Sequence, residues 1–235
     1  MNPDALALGL LWYVAFLLSL SCHEAAHSLA ARFGGDPTAF LAGQMTLNPI
    51  PHMRREPFGT VIVPVASYLL GGWMIGWASA PYDPAWRRRY PHRAAWMALA
   101  GPLANLALAV AASAGMRSGL ALGVFSRPAS VSFTRVVVAA SSSPLLDASA
   151  VFVSILFSLN LLLATFNLLP IPPLDGNSAI GLLLPESTAR QFAQFSRSPS
   201  FALVGLLVAW TVFDRLFHPV FIAALGLLYP GVAYR

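Results

Sequence analysis

The sequence predicts an all-α polytopic membrane protein, crossing the bilayer about five or six times, with a re-entrant or membrane-associated extended segment after the first helix. Three observations carry this. Of the 235 residues 57% are hydrophobic and 10% charged, with a mean hydropathy of +0.67, a balance foreign to ordinary soluble domains. Apolar runs close to the ~20 residues needed to cross about 30 Å of hydrocarbon recur along the chain. The 14 basic residues are all Arg and gather between those runs, at Arg54 and Arg55 and again at Arg87, Arg88, Arg89 and Arg93, as the loops of a membrane protein's cytoplasmic side do. The basic pI therefore reports topology: the partner it implies is the lipid bilayer and not nucleic acid. A single cysteine, Cys22, excludes an internal disulfide and a cysteine-based zinc cluster.

The elements follow in order, as one membrane-embedded domain over residues 1–235. A first span covers residues 5–32 and stops at Phe33, Gly34, Gly35, Asp36 and Pro37. It lacks a basic leader and a clean cleavage site, so it is expected to be retained. Residues 38–57, with Gly43, Asn48, Pro49 and Pro51, predict short extended structure or loop. Residues 60–80 are apolar but carry Pro64, Gly71, Gly72 and Gly76, breakers that weaken a regular helix. Further spans are expected at 94–114 and 148–169, with a Ser- and Val-rich, partly β-like link at 115–147. Residues 177–198 predict an interfacial helix and a polar link. The last apolar stretch is interrupted by Asp214, Arg215, His218 and Pro219, which predicts two short helices at 200–213 and 216–230 forming a hairpin.

The chemistry sits in the first span. His23, Glu24, Ala25, Ala26 and His27 place two imidazoles four residues apart, one helical turn, so both project from one face and can hold one zinc ion. Glu24, beside the first imidazole, is placed to take a proton from a water on that ion. Ionisable groups inside an apolar run cost about 2.5 kcal/mol or more each when unpaired, which makes a merely structural role expensive. A catalytic zinc of this kind needs a third protein ligand. Among the remaining acids, Asp175 stands out, directly after an apolar span and between Pro170, Pro172, Pro173 and Gly176. Asp214 is the rival, with Arg215 beside it as an ordinary ion-pair partner.

Three separated motifs in this order resemble the site-2 proteases, which are intramembrane zinc metalloproteases: His23 to His27, Gly101-Pro102-Leu103-Ala104-Asn105, and Asn167-Leu168-Leu169-Pro170-Ile171-Pro172-Pro173-Leu174-Asp175-Gly176. The run from Gly43 to Pro49, followed by His52, Pro57, Phe58, Gly59 and Thr60, is similar to the compact bacterial subgroup without a PDZ domain. The resemblance implies Zn2+ held by His23, His27 and Asp175, with Glu24 as general base. It further implies that Asn167 lies near the metal, and Asn105 is expected with it to bind substrate or stabilise the transition state. The activity implied is endoproteolysis of transmembrane substrates. A catalytically silent adaptor and an intramembrane metal transporter are the alternatives.

One ion shared by residues 23, 27 and 175 requires the C-terminal ends of the first and fourth apolar runs to lie at one depth. Four simple crossings would put them on opposite faces, so one run is not a crossing, and 38–80, with its breakers at 60–80, is expected to re-enter or lie at the membrane. Arg32, Arg54, Arg55, Arg87, Arg88, Arg89, Arg93, Arg190 and Arg197 then share the active-site side, against Arg117, Arg127 and Arg135 opposite. That asymmetry predicts an active site that faces the cytoplasm, and the resemblance to the compact bacterial subgroup implies the inner membrane.

Overall fold

The computed structural model describes residues 3–196 and 199–232; Arg197 lies outside them. Four helices are long and apolar enough to cross a membrane: α1 (Pro3–Phe33), α6 (Pro91–Ala121), α7 (Pro144–Asn167) and α10 (Pro199–Leu228). The remaining elements are short. They are α2 (Thr38–Leu41), α3 (Pro49–Arg55), a π-helical turn (Phe58–Ile62) continuous with α4 (Val63–Gly71), α5 (Pro84–Arg89), a two-stranded antiparallel ribbon of β1 (Phe125–Ser126) and β2 (Val138–Ala139), α8 (Asp175–Ala179) leading into a 3-10 turn (Ile180–Leu183), and α9 (Glu186–Phe195). The chain is an all-α polytopic membrane protein.

Two expectations need correction. Residues 200–213 and 216–230 do not form a hairpin: α10 runs unbroken through Asp214, Arg215 and His218, with Pro219 inside it. A proline removes one backbone bond, and long apolar flanks carry the helix past it. The long helices therefore number four among the described residues, not five or six. Within residues 38–57, where short extended structure or loop was expected, α2 and α3 are helical with a turn between them; Asn48 caps α3 by accepting from the Ile50 N–H at 3.0 Å and Pro49 opens its first turn. The chain clusters into two units, Met1–Ser21, Asn48–Ala78 and Leu106–Leu161 in one, Cys22–Leu47, Ser79–Asn105 and Leu162–Arg235 in the other. A 31-residue helix such as α1 is about 46 Å long, so its two ends share few neighbours and contribute to different units.

In the first unit, Trp12, Ala15, Phe16, Met116, Val136, Val137 and Ile155 are buried. Several polar groups there bind within the protein: the Asn160 amide donates to Ser19 Oγ at 2.8 Å and to the Leu156 carbonyl, and the Ser154 hydroxyl accepts from the Val136 and Val137 N–H groups. The apolar helix Phe58–Gly71 is 14 residues, about 21 Å, short of the hydrocarbon thickness. It ends at Gly72, whose φ of 75° is the left-handed conformation that glycine closes a helix with. The chain then turns back, and the Trp77 N–H donates to the Gly59 carbonyl at 3.0 Å.

In the second unit, Asp36 fixes both ends of this excursion. Its carboxylate accepts from the Thr38 N–H at 3.0 Å and from the Asp83 N–H at 2.8 Å, so the chain that leaves α1 returns to the same place before α5. Trp86 Nε1 and an Arg93 guanidinium N–H donate to the Gly34 carbonyl nearby. Below α7, Leu169 and Leu174 pack on Ala209 of α10 with Phe166, Ile171 and Phe213. Gly176 lets the turn before α8 close, since a Cβ there would stand 2.3 Å from the Leu168 carbonyl oxygen.

Candidate active site

All the residues that converge here belong to the second unit. On α1, His23 and His27 present their Nε2 atoms 3.0 Å apart, with the rings edge to face. Oδ2 of Asp175, at the start of α8, lies 3.1 Å from Nε2 of His23 and 3.3 Å from Nε2 of His27. The sequence-predicted third ligand is thus brought to the first two, and Asp214, its rival, lies on α10 in an exposed position.

The opposite edges of the two rings are held by α6. His27 Nδ1 donates to the Met97 carbonyl at 2.7 Å, and His23 Nδ1 donates to Oδ1 of Asn105 at 2.6 Å. A carbonyl oxygen only accepts. Each ring's proton is therefore committed to its Nδ1, and each Nε2 presents a lone pair. Two such lone pairs and a carboxylate oxygen, all acceptors, then face one another within 3.3 Å. They repel unless a proton or a metal cation lies among them. Ligand atoms about 2.0–2.1 Å from a tetrahedral zinc stand about 3.3 Å apart, so both the chemistry and the size of this triangle fit zinc.

The motif 101–105 acquires a physical meaning from the same contacts. Met97, Gly101 and Asn105 are spaced four apart on α6 and share one face. Pro102 supplies no N–H to the Ala98 carbonyl, the residue after the Met97 whose carbonyl serves His27. A Cβ at Gly101 would stand 2.4 Å from His27 Nε2 and 2.6 Å from His23 Nε2, in the space an ion bonded to both would fill.

Glu24 is 4% exposed, and its carboxylate, with the ring nitrogens of His23 and His27, forms a group whose atoms all lie within 4.8 Å. Among the described residues it has no hydrogen-bond or ion-pair partner, so its oxygens are available to something that enters the site. Asp175 is the most open of the three converging groups, its side chain 24% exposed against 9% and 8% for the imidazoles, and the site opens on its side.

Asn105, expected to bind substrate or stabilise the transition state, is fully buried and holds the far edge of the His23 ring. Asn167 closes α7, and its amide donates to the Leu163 carbonyl of its own helix at 3.1 Å. Met97 was missed from the sequence because a backbone carbonyl has no residue-type signature; its spacing of four from Gly101 was the available clue.

A family model described as Peptidase family M50 matches residues 11–211. The chain is 33% identical over 196 residues to "Putative zinc metalloprotease YwhC" of Bacillus subtilis, covering 83% of this chain and 77% of that one. It is 32% identical over 205 residues to "Putative zinc metalloprotease Rip2" of Mycolicibacterium smegmatis, covering 86% and 68%. The Rip2 of Mycobacterium tuberculosis is also 32% identical, over 194 residues, covering 82% and 63%. No solved structure matches the chain.

Proposed function

The chain belongs to peptidase family M50, the site-2 protease family of zinc metalloproteases, and from that premise we propose that it cuts transmembrane segments of membrane-protein substrates, with His23, His27 and Asp175 as its zinc ligands and Glu24 as its general base. The observation that carries the assignment is the convergence of three acceptors, two Nε2 atoms and one carboxylate oxygen, within 3.0–3.3 Å of one another.

Zinc held by such a set lowers the pKa of a bound water towards neutrality and polarises a peptide carbonyl. The protein's own part is positional and protonic. Met97 and Asn105 lock both imidazoles in the tautomer that leaves Nε2 free. The unengaged Glu24 carboxylate receives the proton of the attacking water and hands it to the leaving amine. Asn167, eight residues before Asp175, holds the substrate backbone beside the metal. A helical substrate must unwind locally to present its carbonyl, because the hydrogen bonds of a helix engage that oxygen.

The excursion that leaves α1 and returns at Asp36 and Asp83 supports reading residues 38–80 as re-entrant or membrane-associated. Three crossings, α1, α6 and α7, then precede Asp175, which puts it on the same side as the C-terminal end of α1. The Arg distribution favours the cytoplasmic face of a bacterial inner membrane for that side. The transporter alternative loses ground because potential metal-ligating side chains form one cluster among the described residues. The buried Ser19, Ser154 and Asn160 instead donate to carbonyls of their own helices.

The test is a comparison of membrane proteins from cells carrying wild-type chain or the Glu24→Gln variant. A membrane protein that is shortened within a transmembrane segment by the wild type and accumulates intact with the variant is the expected result. Identical membrane proteomes, with both chains inserted and zinc-loaded, would contradict the proposal.

A further inference from the structure

The last long helix carries a feature that the active site does not use. Thr211, Asp214, Arg215 and His218 follow the spacing i, i+3, i+4, i+7, so they lie along one face of α10. All four are exposed. Their surroundings on the helix surface are apolar, with Val204, Leu207 and Val208 also exposed. Among the described residues Asp214, Arg215 and His218 have no hydrogen-bond or ion-pair partner, and the Thr211 hydroxyl is bound only to the Val208 carbonyl of its own turn. The opposite face, through Ala209, Phe213 and Phe217, is the one that packs inward.

The position of this stripe makes it costly in lipid. Residues 199–213 extend about 22 Å and 219–228 about 15 Å at 1.5 Å per residue. Neither part crosses about 30 Å of hydrocarbon alone, so a membrane-crossing α10 carries the charged turn inside the bilayer. Unpaired charges there are costly and are usually paired within the protein. Pro219 adds to the demand, since it returns no N–H to the Arg215 carbonyl one turn earlier. The stripe also lies at the end of the family match and beyond it, which stops at residue 211.

We propose that this face of α10 is an interface with a second copy of the same chain within the membrane, in which Asp214 of each copy pairs with Arg215 of the other. The occupant follows from the charges: one acid and one base in a single turn are self-complementary. Two copies inserted in the same orientation are related by a two-fold axis along the bilayer normal. Residue 214 of one then stands within one residue's rise of the depth of residue 215 of the other, and both pairs form together. Thr211 and His218 add donors and acceptors one turn to either side. Interhelical polar contacts of this kind are modest individually and serve as glue between helices.

The experiment uses the full chain, with two different affinity tags on separate copies, reconstituted in phosphatidylcholine vesicles and co-captured at low protein-to-lipid ratio. Wild-type copies are expected to capture one another. Asp214→Arg alone and Arg215→Asp alone are each expected to lower self-capture roughly tenfold, with zinc content unchanged. Mixing the two variants is expected to restore capture, because one copy then presents two bases and the other two acids. Monomeric wild type, unaffected single reversals, or a mixture that stays as weak as either variant overturns the proposal, and the stripe then serves another membrane partner. Should the reversed chains fail to insert, Asp214→Asn and Arg215→Gln decide: each is expected to weaken capture roughly threefold, and unchanged capture overturns it.

Discussion

Gly101 faces His27 so closely that a methyl group added at 101 would stand 2.4 Å from the imidazole Nε2. The absent side chain leaves open the space between the two rings, so this glycine is as much a part of the proposed metal site as the residues expected to bond to it.

Gly101→Ala is therefore expected to remove zinc from an otherwise inserted chain. The substitution favours helix by about 1 kcal/mol at an ordinary position, so loss of metal without loss of protein separates a filled site from a damaged fold. Zinc analysis of the purified variant checks this, with less than a tenth of the wild-type content expected. Wild-type zinc content would show that the ion lies elsewhere.

Asn105→Leu removes the acceptor that holds His23 Nδ1 and leaves Nε2 in place. Partners of this kind are worth about 10–100-fold in metal affinity. Competition with a chelator should show a loss of that size, and Asn105→Asp, which keeps an acceptor oxygen, should recover most of it. An Asn105→Leu chain that kept wild-type affinity but lost substrate binding would assign Asn105 to substrate instead.

Asn167→Ala tests the other amide. Its bond to the Leu163 carbonyl lies within its own helix, so its loss should cost little stability. The expected result is full zinc content with cleavage reduced about tenfold or more, the scale of losing one transition-state hydrogen bond to a buried site. Wild-type cleavage would remove Asn167 from the mechanism.

Reporter fusions at Pro84 and Ser130 address topology. They are expected on opposite sides of the membrane, Pro84 in the cytoplasm, because α6 separates them and the excursion before it returns to its starting point at Asp36. Reporters on one side would break the crossing count that brings Asp175 to the depth of His23.

Much of this site was legible because side-chain chemistry was written at helical spacing: His23, Glu24 and His27 needed only one turn of helix to become a cluster. Asp175 was legible for a different reason, since prolines and Gly176 mark irregular backbone after an apolar run. What escaped was relational. Nothing in residues 94–105 shows that the Met97 carbonyl will serve His27, or that Gly101 leaves room for an ion, until α6 is laid beside α1. The helix through 214–219 was misread because charge and proline both signal a break in water. In a bilayer a broken helix exposes more backbone than a proline does, and α10 stays intact. In 38–57, glycine and proline outweighed the capping pair Asn48 and Pro49, which correctly mark a helix start.

The central claim, that His23, His27 and Asp175 hold zinc while Glu24 moves protons, is tested most directly by measuring zinc and cleavage together in Glu24→Gln and Asp175→Ala chains. Glu24→Gln should keep about one zinc per chain and lose cleavage by about 10²–10⁴-fold, whereas Asp175→Ala should lose both. Cleavage at the wild-type rate by Glu24→Gln, or full zinc occupancy in Asp175→Ala, would contradict the account.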